Sequence, residues 1–168
     1  LQEALDSLYA QTYQDFEIIL CEDGSKDNTY EIALENQKQH DNIVLLRNPH
    51  NLGLNQTLNN CLAVAKGEYI ARMDGDDLCD PTRFEKQVKF LDEHLEYAIV
   101  SNPMFYFDEN GIFGRGRAKE GEVSKNVFNY GTPFCHAPCM VRKEAYDKVG
   151  GYTVDKRLLR VEDYELWV

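Results

Sequence analysis

The sequence predicts an α/β fold: a mostly parallel central sheet with helices on both faces and a small antiparallel element late in the chain. Three observations carry this reading. Short apolar runs alternate with helix-period apolar stripes, the order of a sheet covered by helices. Acidic clusters follow two of the runs directly, where parallel strands present ligand-holding groups at their carboxyl ends. After about residue 103 the alternation gives way to a glycine-rich stretch with a hairpin signal.

In chain order, Leu1, Ala4, Leu5 and Leu8 mark one apolar helix face, and a helix at the start of such an alternation implies a strand ahead of it. Residues 16–21 read as a buried strand, about 28–40 as a helix and 43–46 as a second strand. Leu54, Leu58, Cys61, Leu62 and Ala65 form a helical stripe, with Gly67 in the C-terminal capping position. A third strand spans 67–73. Asp80-Pro81 is expected to cap and open a helix with the face Phe84, Val88, Leu91 and Leu95. Ala98-Ile99-Val100 is a further apolar run, and Asn110-Gly111 favours a tight turn in a hairpin over 104–117. Gly114, Gly116 and Gly121 with Arg115 and Arg117 suggest a mobile loop.

A chain of 168 residues supports one domain with a sizeable core. It opens on Leu1 and stops within a helical pattern, so it reads as a fragment. The net charge of −11 argues against a nucleic-acid backbone or an anionic membrane surface as main partner. No apolar run approaches membrane-spanning length and no signal peptide is present, so membrane association is expected only through parts outside this sequence. Five cysteines without paired spacing argue against a disulfide framework and for the reducing cytoplasm, including the cytoplasmic face of a membrane. Cys135, His136 and Cys139 lack a second ligand pair for zinc.

Chemistry concentrates at Asp74-Gly75-Asp76-Asp77, immediately after the third strand. Crowded carboxylates repel unless a hard, oxygen-seeking cation neutralises them. A solvated acidic turn is the plain alternative. An EF-hand register from Asp74 to Glu85 fails, because Leu78 falls on a ligand position, Cys79 on the required glycine and Pro81 in mid-loop. A metal–diphosphate site remains. Glu22-Asp23-Gly24-Ser25 follows the first visible strand, where a carboxylate can accept hydrogen bonds from a base or ribose. That segment also reads as a turn, with Asp27 or Asn28 capping the next helix. Arg72 could face phosphate or extend outward, His136 could be a satisfied strand residue or a substrate contact, and Trp167 could stack on a sugar or join the core. Glu162-Asp163 suits a helix start.

Taken together, these segments resemble glycosyltransferase family 2, with its nucleotide-sugar-binding GT-A fold, along nearly the whole chain. The resemblance rests on residues 11–19 (QTYQDFEII), 22–29 (EDGSKDNT, with Glu22 where the family has Asp), Asn51-Leu52-Gly53-Leu54, 67–77 (GEYIARMDGDD), His136, Arg142, Gly150-Gly151-Tyr152 and 161–167 (VEDYELW). It implies a single GT-A domain over 1–168 without the first strand and the C-terminal part. The nucleotide-sugar-binding half would be 1–103 and the acceptor-side half 104–168. It further implies donor binding by Glu22, Asp23, Asn51, Arg72, Asp74 and Asp76, with Mn2+ or Mg2+ held by Asp74 and Asp76. Asp163 would be the general base, and His136, Glu162 and Trp167 would face the acceptor. The implied activity is inverting transfer of a sugar from a nucleotide-diphospho-sugar, a UDP-sugar in the first instance, to a carbohydrate or glycolipid hydroxyl in polysaccharide or glycoconjugate synthesis. Two rivals stand beside it: a nucleotide-sugar-forming nucleotidyltransferase, which would not need Glu162-Asp163, and a non-catalytic nucleotide- or carbohydrate-binding module.

Overall fold

The computed structural model describes residues 1–116, 121–155, 157 and 161–167; Arg117 lies outside them. Helix α1 (Gln2–Tyr9) precedes strand β1 (Ile18–Glu22), helix α2 (Thr29–Gln39), strand β2 (Ile43–Arg47), helix α3 (Leu54–Val64) and strand β3 (Tyr69–Ala71). Helix α4 (Arg83–Glu93), strand β4 (Ile99–Val100), the hairpin β5 (Phe105–Asp108) and β6 (Gly111–Arg115), strand β7 (Met140–Arg142), helix α5 (Lys143–Val149) and helix α6 (Glu162–Trp167) follow.

Strands β1 and β2 pair in parallel, from Ile18 opposite Ile43 to Glu22 opposite Arg47. Strands β3 and β4 both pair antiparallel with β7, in the order β3-β7-β4. Both therefore run in the same direction, so the mixed sheet keeps the parallel sense of its βα units and inserts one reversed strand. Successive residues of a strand face opposite ways, and β7 shows the consequence. Met140 joins a core with Leu5, Ile18, Ile43, Phe84 and Leu91, whereas Val141 joins a second core with Cys139, Tyr146, Tyr152 and Leu166. Leu5 and Leu91 are almost wholly enclosed, and truncating either to Ala should cost about 2–5 kcal/mol.

Three local expectations differ from the structure. Helix α4 begins at Arg83, not at Pro81, because the Asp80 carboxylate accepts bonds from the Thr82 amide (2.9 Å) and hydroxyl (2.6 Å), closing a turn ahead of the helix. The Phe84 amide is then capped from afar by Gln11 Oε1 at 3.1 Å. Leu95 leaves the apolar stripe, being 78% exposed, since helix α4 ends at Glu93 and the chain departs from helical geometry at His94. Gly67 does not cap α3, which ends at Ala65 in an extended conformation. The tight turn at Glu109-Asn110 is present, with Gly111 at φ 110°.

Strand β1 and helix α1 on one side and β3 on the other line an apolar cleft of about 770 Å³, with Ile19, Leu20, Leu62 and Ile70 among its walls. The cleft reaches Arg72, Asp74 and Gly75. Topology gathers the chemistry there: the carboxyl ends of β3 and β4 and the start of β7 share one edge of the sheet, so the Asp74 loop and the His136 segment meet.

Candidate active site

Arg72 is fixed before it is used. Its amide donates to Cys139 O (2.9 Å) and its carbonyl accepts from the buried Arg83 Nη2 (2.7 Å), which also reaches Cys139 O at 3.3 Å. The Arg72 side chain is 9% exposed and its Nη2 lies 2.7 Å from Asp74 Oδ1, while the Asp74 side chain is 45% exposed. Arg72 Nε is buried without a partner among the described residues. Arg72 thus turns inward to clamp the first carboxylate of the acidic loop, and does not extend to solvent.

Asp76 is exposed and Asp77 half-buried. Burial first, and then the charges of Asp74 and Asp76, raise the Asp77 carboxyl above its ordinary value. The three carboxylates therefore sense one another, and this crowding fits a divalent cation with hard oxygen ligands. Among the described residues no three His, Cys, Asp or Glu side chains converge enough to hold a metal by themselves. A cation here would need oxygens from a ligand as well.

The second acidic segment is consumed by loop building to an extent its motif does not reveal. Glu22 is buried, paired with Arg47 at 3.1 Å and bonded by the Ser25 amide. The Ser25 amide, against the opposing effect of burial and with help from Arg47, holds its carboxyl below the ordinary range. A donor contact by Glu22 would require breaking that pair. Asp23 accepts from the Leu52 amide (2.7 Å), the Asn48 amide group (2.8 Å) and the Gly53 amide (3.0 Å). Burial raises its carboxyl, but these bonds outweigh it and leave it lowered. Oδ1 holds two of the bonds and Oδ2 one, so Oδ2 keeps capacity for a ligand. Gly24, at φ 79°, lies so close to the 50–51 backbone that a Cβ would sit 2.7 Å from the Asn51 nitrogen. Asn51 itself is exposed on this loop.

On the other wall, His136 is buried. Its Nε2 and the Tyr152 hydroxyl are hydrogen-bonded at 2.8 Å, and Tyr152 meets the Tyr146 hydroxyl at 3.1 Å. Burial and then Arg72 push the imidazole down to about 4, against the pull of Asp163 and Asp74. His136 therefore lies in the fields of two carboxylates far apart in sequence. Asp163 is half-buried in the first turn of α6 and its Oδ1 accepts from the Tyr164 amide at 2.8 Å. Trp167, at the other end of α6, packs edge-on against Phe134 and His136 with its indole nitrogen buried and unpartnered among the described residues. Trp167 is thus a wall of the second core at the site's floor. The Glu162 side chain lies outside what the structure describes.

Arg72, Asp74, His136 and Asp163 are brought together; Glu22, Asp23 and Asn51 form a separate loop beyond β1, with no hydrogen bond to the Asp74 loop among the described residues. Several residues escaped the sequence reading. Asn48 is buried and bridges Asp23, Thr57 (3.0 Å) and Asn60 (2.8 Å). Asn59 clasps Tyr152 through both its amide (2.8 Å) and its carbonyl (2.8 Å). Arg83 pins Arg72. Asn-rich helices carry no periodic signal that marks such hubs; only the unusual run of Asn and Gln along α3 hints at them.

Residues 1–150 match the family model described as Glycosyl transferase family 2. EpsE of Bacillus subtilis (strain 168), provisionally named a glycosyltransferase, is 43% identical over 169 residues, covering 100% of this chain and 60% of its own. WfaP of Escherichia coli, named as a UDP-Glc:alpha-D-GlcNAc-diphosphoundecaprenol beta-1,3-glucosyltransferase, is 28% identical over 166 residues, covering 98% and 62%. The chain thus spans about three fifths of these relatives' length. Among solved structures, the mannosyltransferase PcManGT from Pyrobaculum calidifontis, in complex with GDP-Man and Mn2+, aligns with TM-score 0.72 at 20% identity, covering 98% of this chain and 46% of that one. At that identity the likeness is one of fold, and the fold is GT-A. By its sequence match over residues 1–150, the chain belongs to glycosyl transferase family 2.

Proposed function

We propose that this chain carries the catalytic domain of a metal-dependent inverting glycosyltransferase, moving a sugar from a UDP-linked donor to a carbohydrate or glycolipid hydroxyl. The observation that carries the reading is the packing of the two halves of the site: Arg72, ion-paired with Asp74 at 2.7 Å, donates its amide to Cys139 O, and Trp167 of the helix that bears Asp163 packs edge-on against His136. A reaction joining donor and acceptor needs both carboxylates around one small space. The UDP preference draws support from the donor in WfaP's name, while PcManGT was solved with GDP-Man. Residues 1–103 would supply donor contacts and 104–168 the acceptor side. No helix among the described residues is long and apolar enough to cross a membrane.

In this reading Asp76 ligates Mn2+ or Mg2+, with Asp74 in the metal shell or on the ribose. The cation would serve as a Lewis acid that neutralises the departing diphosphate. Asp23 Oδ2 offers its remaining lone pair to the base or ribose, on the loop that presents Asn51. Asp163 takes the proton from the acceptor hydroxyl as that oxygen attacks the anomeric carbon. The bond from that carbon to the diphosphate oxygen breaks on the opposite face, so one displacement inverts the centre. The Asp163 carboxylate suits the role by its place at the start of α6, whereas the Nε2 of the buried His136 is already hydrogen-bonded to the Tyr152 hydroxyl at 2.8 Å. His136 and Trp167 instead shape the acceptor floor.

The test is a donor screen on the intact protein with Mn2+ or with EDTA, reading released nucleoside diphosphate and the anomeric configuration of the product. UDP release from one UDP-sugar, requiring metal and giving inverted product, is expected. Release unaffected by EDTA removes the metal role, and retained configuration removes the single displacement.

A further inference from the structure

The acidic loop contains a cation of its own. Arg72 follows β3 directly and sits two residues before Asp74 in the loop that leaves the strand. Its backbone is fixed by bonds to Cys139 and Arg83, and its side chain is enclosed, 9% exposed. From there Nη2 meets Asp74 Oδ1 at 2.7 Å. An Arg in this position always carries its charge. One of the carboxylates available to a cation is thus already neutralised, and the remaining pair is Asp76, exposed, with Asp77, half-buried.

Resting on the metal–diphosphate reading above, we propose that Arg72 is a positioning residue that holds Asp74 as its ion-pair partner outside the cation's inner sphere. The free site then holds a divalent cation weakly, and the cation is captured together with the nucleoside diphosphate, whose oxygens complete its coordination. The absence of any three-ligand cluster among the described residues agrees with this. A bare carboxylate pair beside a fixed positive charge is a poor cation site, whereas the same pair facing a diphosphate is not. Arg72 also limits the movement of Asp74, so the carboxylate is oriented before the donor arrives.

Bare Mn2+ affinity, measured by the free-ion electron paramagnetic resonance signal, separates this role from a merely structural one. Arg72→Gln removes the opposing charge and should tighten bare Mn2+ binding by about tenfold, the effect of one unit charge at short range in a partly solvated site. Arg72→Lys keeps the charge and should stay within about threefold of the wild type. A change that only loosened the fold would weaken binding in both. The paired variant Arg72→Gln with Asp74→Asn removes a net-neutral unit and should return bare Mn2+ affinity close to the wild-type value; it also serves should Arg72→Gln alone fail to fold. A folded Arg72→Gln with unchanged or weaker bare Mn2+ binding overturns the inference. So does a paired variant that loses more than about tenfold, since Asp74 would then be a ligand itself. A control with UDP present distinguishes the two levels: wild-type protein that binds no Mn2+ even with UDP overturns the metal reading and this inference together. Mn2+ binding with UDP beside an unresponsive Arg72→Gln overturns this inference alone.

Discussion

The Nε2 of His136 and the hydroxyl of Tyr152 are hydrogen-bonded at 2.8 Å, and this bond ties the floor of the site to α3, because Asn59 clasps the Tyr152 backbone at both ends. Burial dominates the His136 environment and lowers its pKa from 6.5 to about 4. The unfolded chain therefore binds the proton more readily than the folded one. Stability from the neutral imidazole is complete above about pH 6.5 and is lost as the pH falls toward about 4. The loss should be on the order of 3 kcal/mol. Thermal melts from pH 7.5 to 4 should show a steeper acid decline in the wild type than in His136→Gln, and parallel declines would contradict this.

Gly151 is the close-packed partner of that clasp. It adopts φ +80°, and a Cβ there would lie 2.6 Å from Asn59 Oδ1. Gly151→Ala should cost about 1–3 kcal/mol from backbone strain alone, with the contact added to it. Asn59→Ala forfeits the clasp but opens the space, so urea unfolding of the double variant should fall short of the sum of the single losses. Strict additivity would show that the two residues do not press on each other.

Asp23 is expected to serve two masters. Asp23→Ala releases the amides of Leu52 and Gly53 and the Asn48 side chain, and should cost about 2 kcal/mol of stability in urea unfolding. UDP binding by calorimetry should weaken, and preference for UDP over GDP should shrink, because a lost base or ribose contact removes discrimination. Unchanged preference with lowered stability would leave Asp23 as a loop anchor only.

Legibility followed the range of the interactions. The acidic cluster, the apolar stripes and the Asn-Gly turn are local patterns, and they led to elements that are present. Strand β7 was not legible: Met140-Val141-Arg142 is three residues long, and its strand state comes from bonds to β3 and β4 on both sides. Pro81 and Gly67 suggested helix ends by residue type, yet the Asp80–Thr82 turn and the extended Ala65 set those ends, and the Gln11 bond to the Phe84 amide is one that only the tertiary structure brings about. At the site, a motif gives position along a strand and not orientation. Glu22 lies where a donor contact would be expected, but its buried carboxylate is taken up by the Ser25 amide and by Arg47, its partner in the parallel register. Arg72 was ambiguous for the same reason, since residue type alone does not show that its side chain is enclosed and paired with Asp74.

Metal should act through Asp76. UDP should bind more tightly with Mn2+ than with EDTA in calorimetric titration, because the loop otherwise presents uncompensated carboxylates to the diphosphate. Asp76→Ala should erase the difference, while Asp80→Ala, which removes only the turn before α4, should lower stability and leave the difference intact.

The most direct test of the account is the turnover of Asp163→Asn in the intact protein, with donor affinity measured in parallel. Asn keeps the shape and the acceptor oxygen for the Tyr164 amide but cannot take a proton at neutral pH. Turnover should fall by about 10²–10⁴-fold while donor affinity stays nearly constant. A fall of less than about tenfold, with donor affinity preserved, would contradict the assignment of Asp163 as the base.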